Sequence, residues 1–324
     1  MTKRVLSGIQ PTGVLHIGNY LGSLKHFVEL QNKYECFFFI ADYHSITEDY
    51  NPQEKPQQVL DLAIDFLSAG LDPQKCTIFV QSQVPEHLEL AWIFNTITPV
   101  SELQRMTQYK DKSRQQPENI NMGLFDYPVL QAADILIYKP QFVPVGIDQK
   151  QHVELTRKIA RLFNNKFGEV FPEPDVLLTK TPKIMSLADP TKKMSKSFNQ
   201  RSYIALNDEP AAIKDKMKRA VTDTGKSEKS PGVQNLFMLL QQFGGNEIFN
   251  QFEKEHRAGK ISYQKLKEAL ADAIGNYFAD FRSQKKELSK DTKKVKDILE
   301  AGNKKAREIA IETLIDVKKK IGLT

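Results

Sequence analysis

Residues 36–41 read Cys-Phe-Phe-Phe-Ile-Ala, with no polar position among them. A strand with one wet face alternates polar and apolar residues, so an unbroken apolar run of this length belongs in a parallel sheet covered on both faces. The flanking stretches fit that setting. Residues 5–9 predict a first strand that ends in a Pro/Gly turn, and a helix follows from near Gly18 with Leu21, Leu24 and Val28 on one face. Asn51-Pro52 predicts an N-cap and first-turn proline leading to Val59, Ala63, Phe66 and Leu67, with Gly70 as the stop. Residues 77–80 form the next predicted strand. Ser101 with Gln104 reads as a capping box, residues 126–138 as a helix, and 142–145 as a short strand ending at Gly146. A helix over 148–164 turns Val153, Ile159, Ala160 and Phe163 inward. Strands alternating with helices predict a doubly wound parallel sheet, the Rossmann-type α/β arrangement. Ligands of such sheets sit at the carboxyl ends of the strands, where the first turn, His44 and Gly146 fall.

After residue 198 the strand signal fades, and from 208 to 324 the pattern is helical with loops at 224–232 and 244–245. The final helix keeps Ala306, Ile309, Ala310, Leu314 and Val317 on one stripe. A chain of 324 residues is comfortable for two domains. The expected boundaries are 1–190 for the doubly wound domain, 191–200 for a loop, 201–288 for a smaller all-helical domain, and 289–324 for a last helix packing back on the first domain. No apolar run approaches membrane-spanning length. The first motif begins within about ten residues of Met1, which leaves no room for a signal peptide and implies the cytoplasm. Cys36 and Cys76 read as buried thiols beside strand-like runs, with neither metal spacing nor a disulfide framework. Residues 285–324 hold 12 Lys/Arg and 7 Asp/Glu, which gives this tail most of the chain's net charge of +6. Such a tail is either a solvated helix face or an attraction for a polyanion.

Two short segments carry the chemistry: Pro-Thr-Gly-Val-Leu-His-Ile-Gly-Asn at 11–19 and Lys-Met-Ser-Lys-Ser at 193–197. A strand-to-helix turn of small residues lets a nucleotide lie against the backbone, and a helix N-terminus offers partial positive charge to phosphates. Gly18 leaves space for an adenine, while His16 and Asn19 offer neutral donors to phosphate or ribose oxygens. Alone, His16 would read as a structural turn residue. The second segment supplies lysines that can follow negative charge as it grows on a departing pyrophosphate. Together they describe an ATP site that activates a carboxylic acid. A carboxylate is already ionised at neutral pH, so no Ser/His/Asp triad is needed, and none is suggested. No Gly-x-x-x-x-Gly-Lys-Ser/Thr loop is present either.

This pairing resembles the class I aminoacyl-tRNA synthetases. The strings Ser-Gly-Ile-Gln-Pro-Thr-Gly at 7–13, Tyr-Pro-Val-Leu-Gln-Ala-Ala-Asp-Ile-Leu at 127–136, Val-Pro-Val-Gly-Ile-Asp-Gln-Lys-Gln-His at 143–152 and Asp-Pro-Thr-Lys-Lys-Met-Ser-Lys-Ser at 189–197 are similar to bacterial-type tryptophanyl-tRNA synthetases. The likeness runs through residue 200 and continues more loosely to the end. It implies that His16, Lys193 and Lys196 are catalytic. ATP would be lined by Gln10, Pro11, Thr12, Gly18, Asn19, Gly146, Asp148, Ile184, Met194 and Ser195 together with both lysines, with Lys112 reaching toward the phosphates. Asp134 would accept the indole N–H of tryptophan, Tyr127 and Gln149 would hold the α-amino group, and Leu6, His44, Gln131 and Val143 would line the pocket. Tryptophan alone presents that donor on so large a ring, and an acceptor paired to it rejects phenylalanine strongly.

ATP is the expected co-substrate, and ATP chemistry brings Mg²⁺ with it, since the chain shows no dedicated metal cluster; no tightly bound cofactor is expected. The partners that the resemblance implies would be L-tryptophan and tRNA(Trp), bound by a homodimer that the tRNA bridges, with the helical domain on the anticodon side and neither DNA nor membrane involved. Three positions depart from many members: Leu6 stands where they have Phe, Gln131 where they have Met, and Ile147 where they have Glu. The pocket wall is therefore expected to be less aromatic and more polar than usual. Tyrosine as substrate, a fold that binds tRNA without charging it, and a small nucleotidyltransferase are the alternatives. Intact lysines and His16 disfavour the second, and the helical half and basic tail disfavour the third.

Overall fold

The computed structural model describes residues 3–109, 114, 118–146, 149–178, 183–196, 199–222 and 230–323. The chain forms two compact units: Met1–Gly13, Lys25–Lys180 and Lys290–Thr324 make the first, Val14–Leu24 and Thr181–Ser289 the second.

The first unit is built on five parallel strands: β1 (Arg4–Ile9), β2 (Glu35–Ile40), β3 (Cys76–Val80), β4 (Phe142–Val145) and β5 (Asp175–Leu178), in the order β3-β2-β1-β4-β5. This is the doubly wound sheet expected, with the order reversing between β1 and β4, where such sheets bind ligands. The apolar run supplies β2, flanked by β1 and β3, with Phe37 and Phe38 fully buried. β5 is a strand the pattern does not predict. It is four residues long and pairs with β4 alone, so it carries no buried apolar run.

Local signals misplace three helix starts. The helix expected from Asn51 begins at Lys55 and runs to Ser68. Pro56 has no N–H to bond back toward Pro52, so the first helical hydrogen bond is postponed, and Asn51 instead accepts from Gln53 N at 3.1 Å. Ser101 is not a cap, because Pro99 in extended conformation takes that position for Val100–Gln104. The helix Met122–Leu136 starts before residue 126, capped by the Asn121 side chain on Leu124 N. The helix after Gln149 spans Lys150–Phe167 and buries Val153, Ile159, Ala160 and Phe163. Beyond Gly18 the chain passes through a π-helical turn, Tyr20–Leu24, before Lys25–Leu30, so Phe27 is buried and Val28 only half-buried.

Cys36 and Cys76, distant in sequence, are register partners on β2 and β3. Both are free, and burial pushes each thiol up to about 12. The last helix, Thr292–Ile321, lies on β3 and on the helices Lys55–Ser68 and Glu86–Asn95. The close approach depends on Gly302, where a Cβ would stand 1.8 Å from the Ile78 carbonyl oxygen. Asn303 Oδ1 accepts from Val80 N at 2.8 Å beside it.

In the second unit, Pro210–Arg219 packs against Tyr263–Tyr277, which also meets Pro231–Phe243. Ile213, Met217, Leu239, Leu266, Leu270 and Ile274 are buried on these helices. Residues 14–24, expected with the first domain, group with this unit. Ile17 N donates to Ile204 O and Leu206 N to Leu15 O, both at 3.0 Å, which pairs His16 with Ala205 across an antiparallel bridge. No helix among the described residues is long and apolar enough to cross a membrane.

Candidate active site

In the first unit the polar groups gather at the carboxyl ends of the strands. Asp42, after β2, caps the short turn Tyr43–Ile46 and so orients His44. Gln81 follows β3 directly and donates from Nε2 to both carboxylate oxygens of Asp134 at 2.9 Å. His44 places Nε2 2.6 Å from Oδ2 of Asp134, and His87 places Nδ1 2.8 Å from Oδ1, a close approach off the hydrogen-bond line. Asp134, Gln81 and His87 are completely buried. Burial pushes the Asp134 carboxyl up, but His44 and then His87 outweigh this and hold it below the usual carboxylate range. An ionised carboxylate only accepts, so the ring nitrogens facing it carry the hydrogens. In the neutral ring this leaves Nε2 of His87 to accept from the Tyr138 hydroxyl, 2.7 Å away.

Tyr127 lies two helical turns before Asp134 on Met122–Leu136. Its ring meets that of His44 edge-on, and its hydroxyl is 3.0 Å from Nε2 of buried His152. Burial, reinforced by Glu48, pushes the Tyr127 phenol up to about 12, so it stays protonated and neutral. Gln131 is half-buried on the same helix, and Gln149 N closes a turn on Gly146 O at 3.0 Å. Leu6 and Val143 are buried in the hydrophobic core cluster of this unit. Gln10, Pro11 and Thr12 follow β1; Lys55 Nζ reaches the Pro11 carbonyl and the Ser45 hydroxyl, and burial lowers its pKa. Asp148, Ile147, Lys112 and Ser197 lie outside the described residues.

The second unit brings the two motifs into contact. His16 is the N-cap of Ile17–Asn19 in a reciprocal box: its Nδ1 accepts from Gly18 N and Asn19 N, while Asn19 Oδ1 accepts from His16 N. That arrangement assigns the tautomer, since an accepting Nδ1 puts the proton on Nε2. Burial, then Lys196 and Lys193, lower the imidazole to about 4, so it is a neutral donor at physiological pH. Gly18 has a reason within the protein itself as well. A Cβ there would meet the His16 ring at 2.9 Å, so the glycine makes room for the histidine's own side chain. Met194 N donates to Ile184 O at 3.0 Å and Lys193 bridges Met185, forming a small hairpin with Ile184 and Met194 buried. Ser195 O accepts from the Ser202 hydroxyl.

One unit holds neutral donors and lysines, and the other a buried carboxylate beside a tyrosine at its strand ends, the kinds of group that activating a carboxylate calls for. The family model of tRNA synthetases class I (W and Y) matches residues 2–279. A tryptophan–tRNA ligase of Caldanaerobacter subterraneus is 44% identical over 99% of this chain and 98% of its own length. The tryptophanyl-tRNA synthetase structure from Mycoplasma pneumoniae superposes with a TM-score of 0.88 at 38% identity, covering 100% of this chain and 99% of that one. The enzyme from Campylobacter jejuni, solved with ADP and tryptophan, gives 0.87 at 36% identity, over 98% and 99%. The chain belongs to the class I tRNA synthetases for W and Y and, within them, to the tryptophan–tRNA ligase family.

Proposed function

We infer that the protein activates L-tryptophan with ATP, releasing pyrophosphate, and then passes the tryptophanyl group to tRNA(Trp). The observation that carries the amino-acid assignment is Asp134, a fully buried carboxylate kept ionised at the strand ends. Burying a charge is costly unless it is paired, and an acceptor held there suits a donor on a large apolar ring.

The tryptophan carboxylate attacks the α-phosphorus of ATP. The bond to the bridging oxygen breaks, and pyrophosphate leaves with the electron pair. His16, neutral and donating from Nε2, steadies phosphate oxygens without adding charge. Lys193 and Lys196 meet the charge that develops on the leaving group, where stabilisation accelerates the step. Tyr127 and Gln149 hold the α-ammonium, and Leu6, Gln131 and Val143 shape the wall. ATP enters as its Mg²⁺ complex, so the ion belongs to the substrate. A ribose hydroxyl at the tRNA 3′ end then attacks the adenylate carbonyl and expels AMP.

We further propose a cytoplasmic homodimer that takes tRNA, with the basic tail facing the polyanion. Leu88, Trp92 and Val100 are exposed apolar side chains on or just after Glu86–Asn95, which supports a subunit contact there. Exchange of pyrophosphate into ATP tests the main reading: it should require L-tryptophan and Mg²⁺. Equal or greater exchange with tyrosine would refute it.

A further inference from the structure

The second motif accounts for the charge near His16 but not for what holds the histidine in place. The backbone that pairs with it is the segment 203–206, bonded on both sides of His16 by Ile17 N to Ile204 O and Leu206 N to Leu15 O. That segment is itself tied down by one carboxylate. Asp208 Oδ2 accepts from Ala205 N at 2.8 Å, while Asp208 N donates back to Ala205 O, closing the turn. The same oxygen receives Lys216 Nζ from the helix Pro210–Arg219. Lys216 also lies over the Tyr203 ring, 5.0 Å from its centre, and Tyr203 in turn faces the His16 ring at 5.9 Å. A charge-assisted pair that is mostly shielded from water thus reaches His16 by two routes, through the backbone at Ala205 and through the Tyr203 ring.

We propose that Asp208, with Lys216 and Tyr203, is a positioning residue for adenylate formation: it sets the backbone and ring against which His16 is held as a phosphate donor. This rests on the reading of His16 as that donor. None of the three residues falls in either motif, and Asp208 acts on His16 only through other groups, Ala205 on one side and Lys216 with Tyr203 on the other. A donor displaced by a fraction of an ångström meets the developing charge less well, so the cost falls on the chemical step and leaves amino-acid binding alone.

The test measures single-turnover adenylate formation and the KM values for ATP and tryptophan in Asp208→Ala, Asp208→Asn, Tyr203→Leu and His16→Ala, and in Asp208→Ala combined with His16→Ala. Asp208→Ala should slow adenylate formation at least about tenfold with the tryptophan KM within about twofold, as expected for transition-state contacts. Asp208→Asn, which can still accept from Ala205 N, should recover much of that loss. In the His16→Ala background, removing Asp208 should cost less than about threefold more, because the group it positions is gone. Equal losses in both backgrounds, or an unslowed Asp208→Ala, would overturn the inference. Should Asp208→Ala fail to fold, Tyr203→Leu carries the same comparison, and a wild-type rate there overturns it. An unslowed His16→Ala would instead overturn the reading of His16, so the two failures are distinguishable.

Discussion

Replacing Asp134 by Asn tests how tryptophan is recognised, and the structure limits the size of the effect. The two carboxylate oxygens already receive Gln81 twice, His44 once and the close approach of His87. Asp134 is completely buried, so an incoming indole N–H reaches its carboxylate only where a neighbouring side chain gives way. His44, with 6% exposure against none for Gln81 and His87, is the donor nearest the surface and the one placed to yield. Binding then exchanges one charge-assisted hydrogen bond for another, and the net gain is smaller than a bond made from nothing. A charge-assisted bond contributes roughly 1.5–3 kcal/mol and a neutral one about 1. Asp134→Asn, isosteric but uncharged, should thus weaken tryptophan by ~1 kcal/mol, about five- to tenfold. Phenylalanine has no N–H to lose and should be unaffected. Asp134→Ala strands several buried donors, each costing roughly 1–3 kcal/mol, so it loses stability as well as preference. Pyrophosphate exchange with both amino acids, on wild type and Asp134→Asn, gives the ratio of kcat/KM values. An unchanged ratio would show that the indole is read elsewhere. Gln131→Met serves as the control, because it alters the wall and leaves the acceptor in place.

Lys196→Ala should slow single-turnover adenylate formation roughly a hundredfold while tryptophan affinity stays within about threefold; a rate within threefold of wild type would remove the lysine from the mechanism. His16 gives a pH dependence of known sign. Its pKa falls from 6.5 unfolded to about 4 folded, so the unfolded chain takes up the proton first. Stability should be complete above the unfolded value and decline as pH falls from 6.5 toward 4, by about 3 kcal/mol in all, and His16→Gln should lack that component in denaturant titrations. Gly302→Ala drives a methyl into the Ile78 carbonyl and should lower stability by about 1–3 kcal/mol, read from the same titrations.

What the sequence shows and what it hides follow one physical division. The local structure around His16, Lys193 and Lys196 is legible because a cap, a turn and a charged loop are each specified within a few residues. Local caps also mislead wherever a proline ranks above them, as Pro56 does over Asn51 and Pro99 over Ser101. Tertiary reasons are harder to see. Gly18 reads as space for a ligand, while the room it also leaves for the His16 ring shows only in the fold. Cys36 and Cys76 meet only because β2 and β3 are neighbours in register.

Gln81 and His87 stand in no motif, although together they hold the carboxylate on which the tryptophan assignment depends. Their contacts with Asp134 join separate elements, and no local pattern spans them. A sign is nevertheless present. His87 occupies the same helical stripe as Leu90, Ala91 and Phe94, all buried, so a polar ring is committed to the interior. A buried imidazole needs partners for both nitrogens, and at the carboxyl end of a parallel sheet those partners converge on the ligand site. A histidine on an apolar helix face beside a strand end is therefore the residue pattern that marks a buried polar network. Here that network leads from Tyr138 through His87 to Asp134.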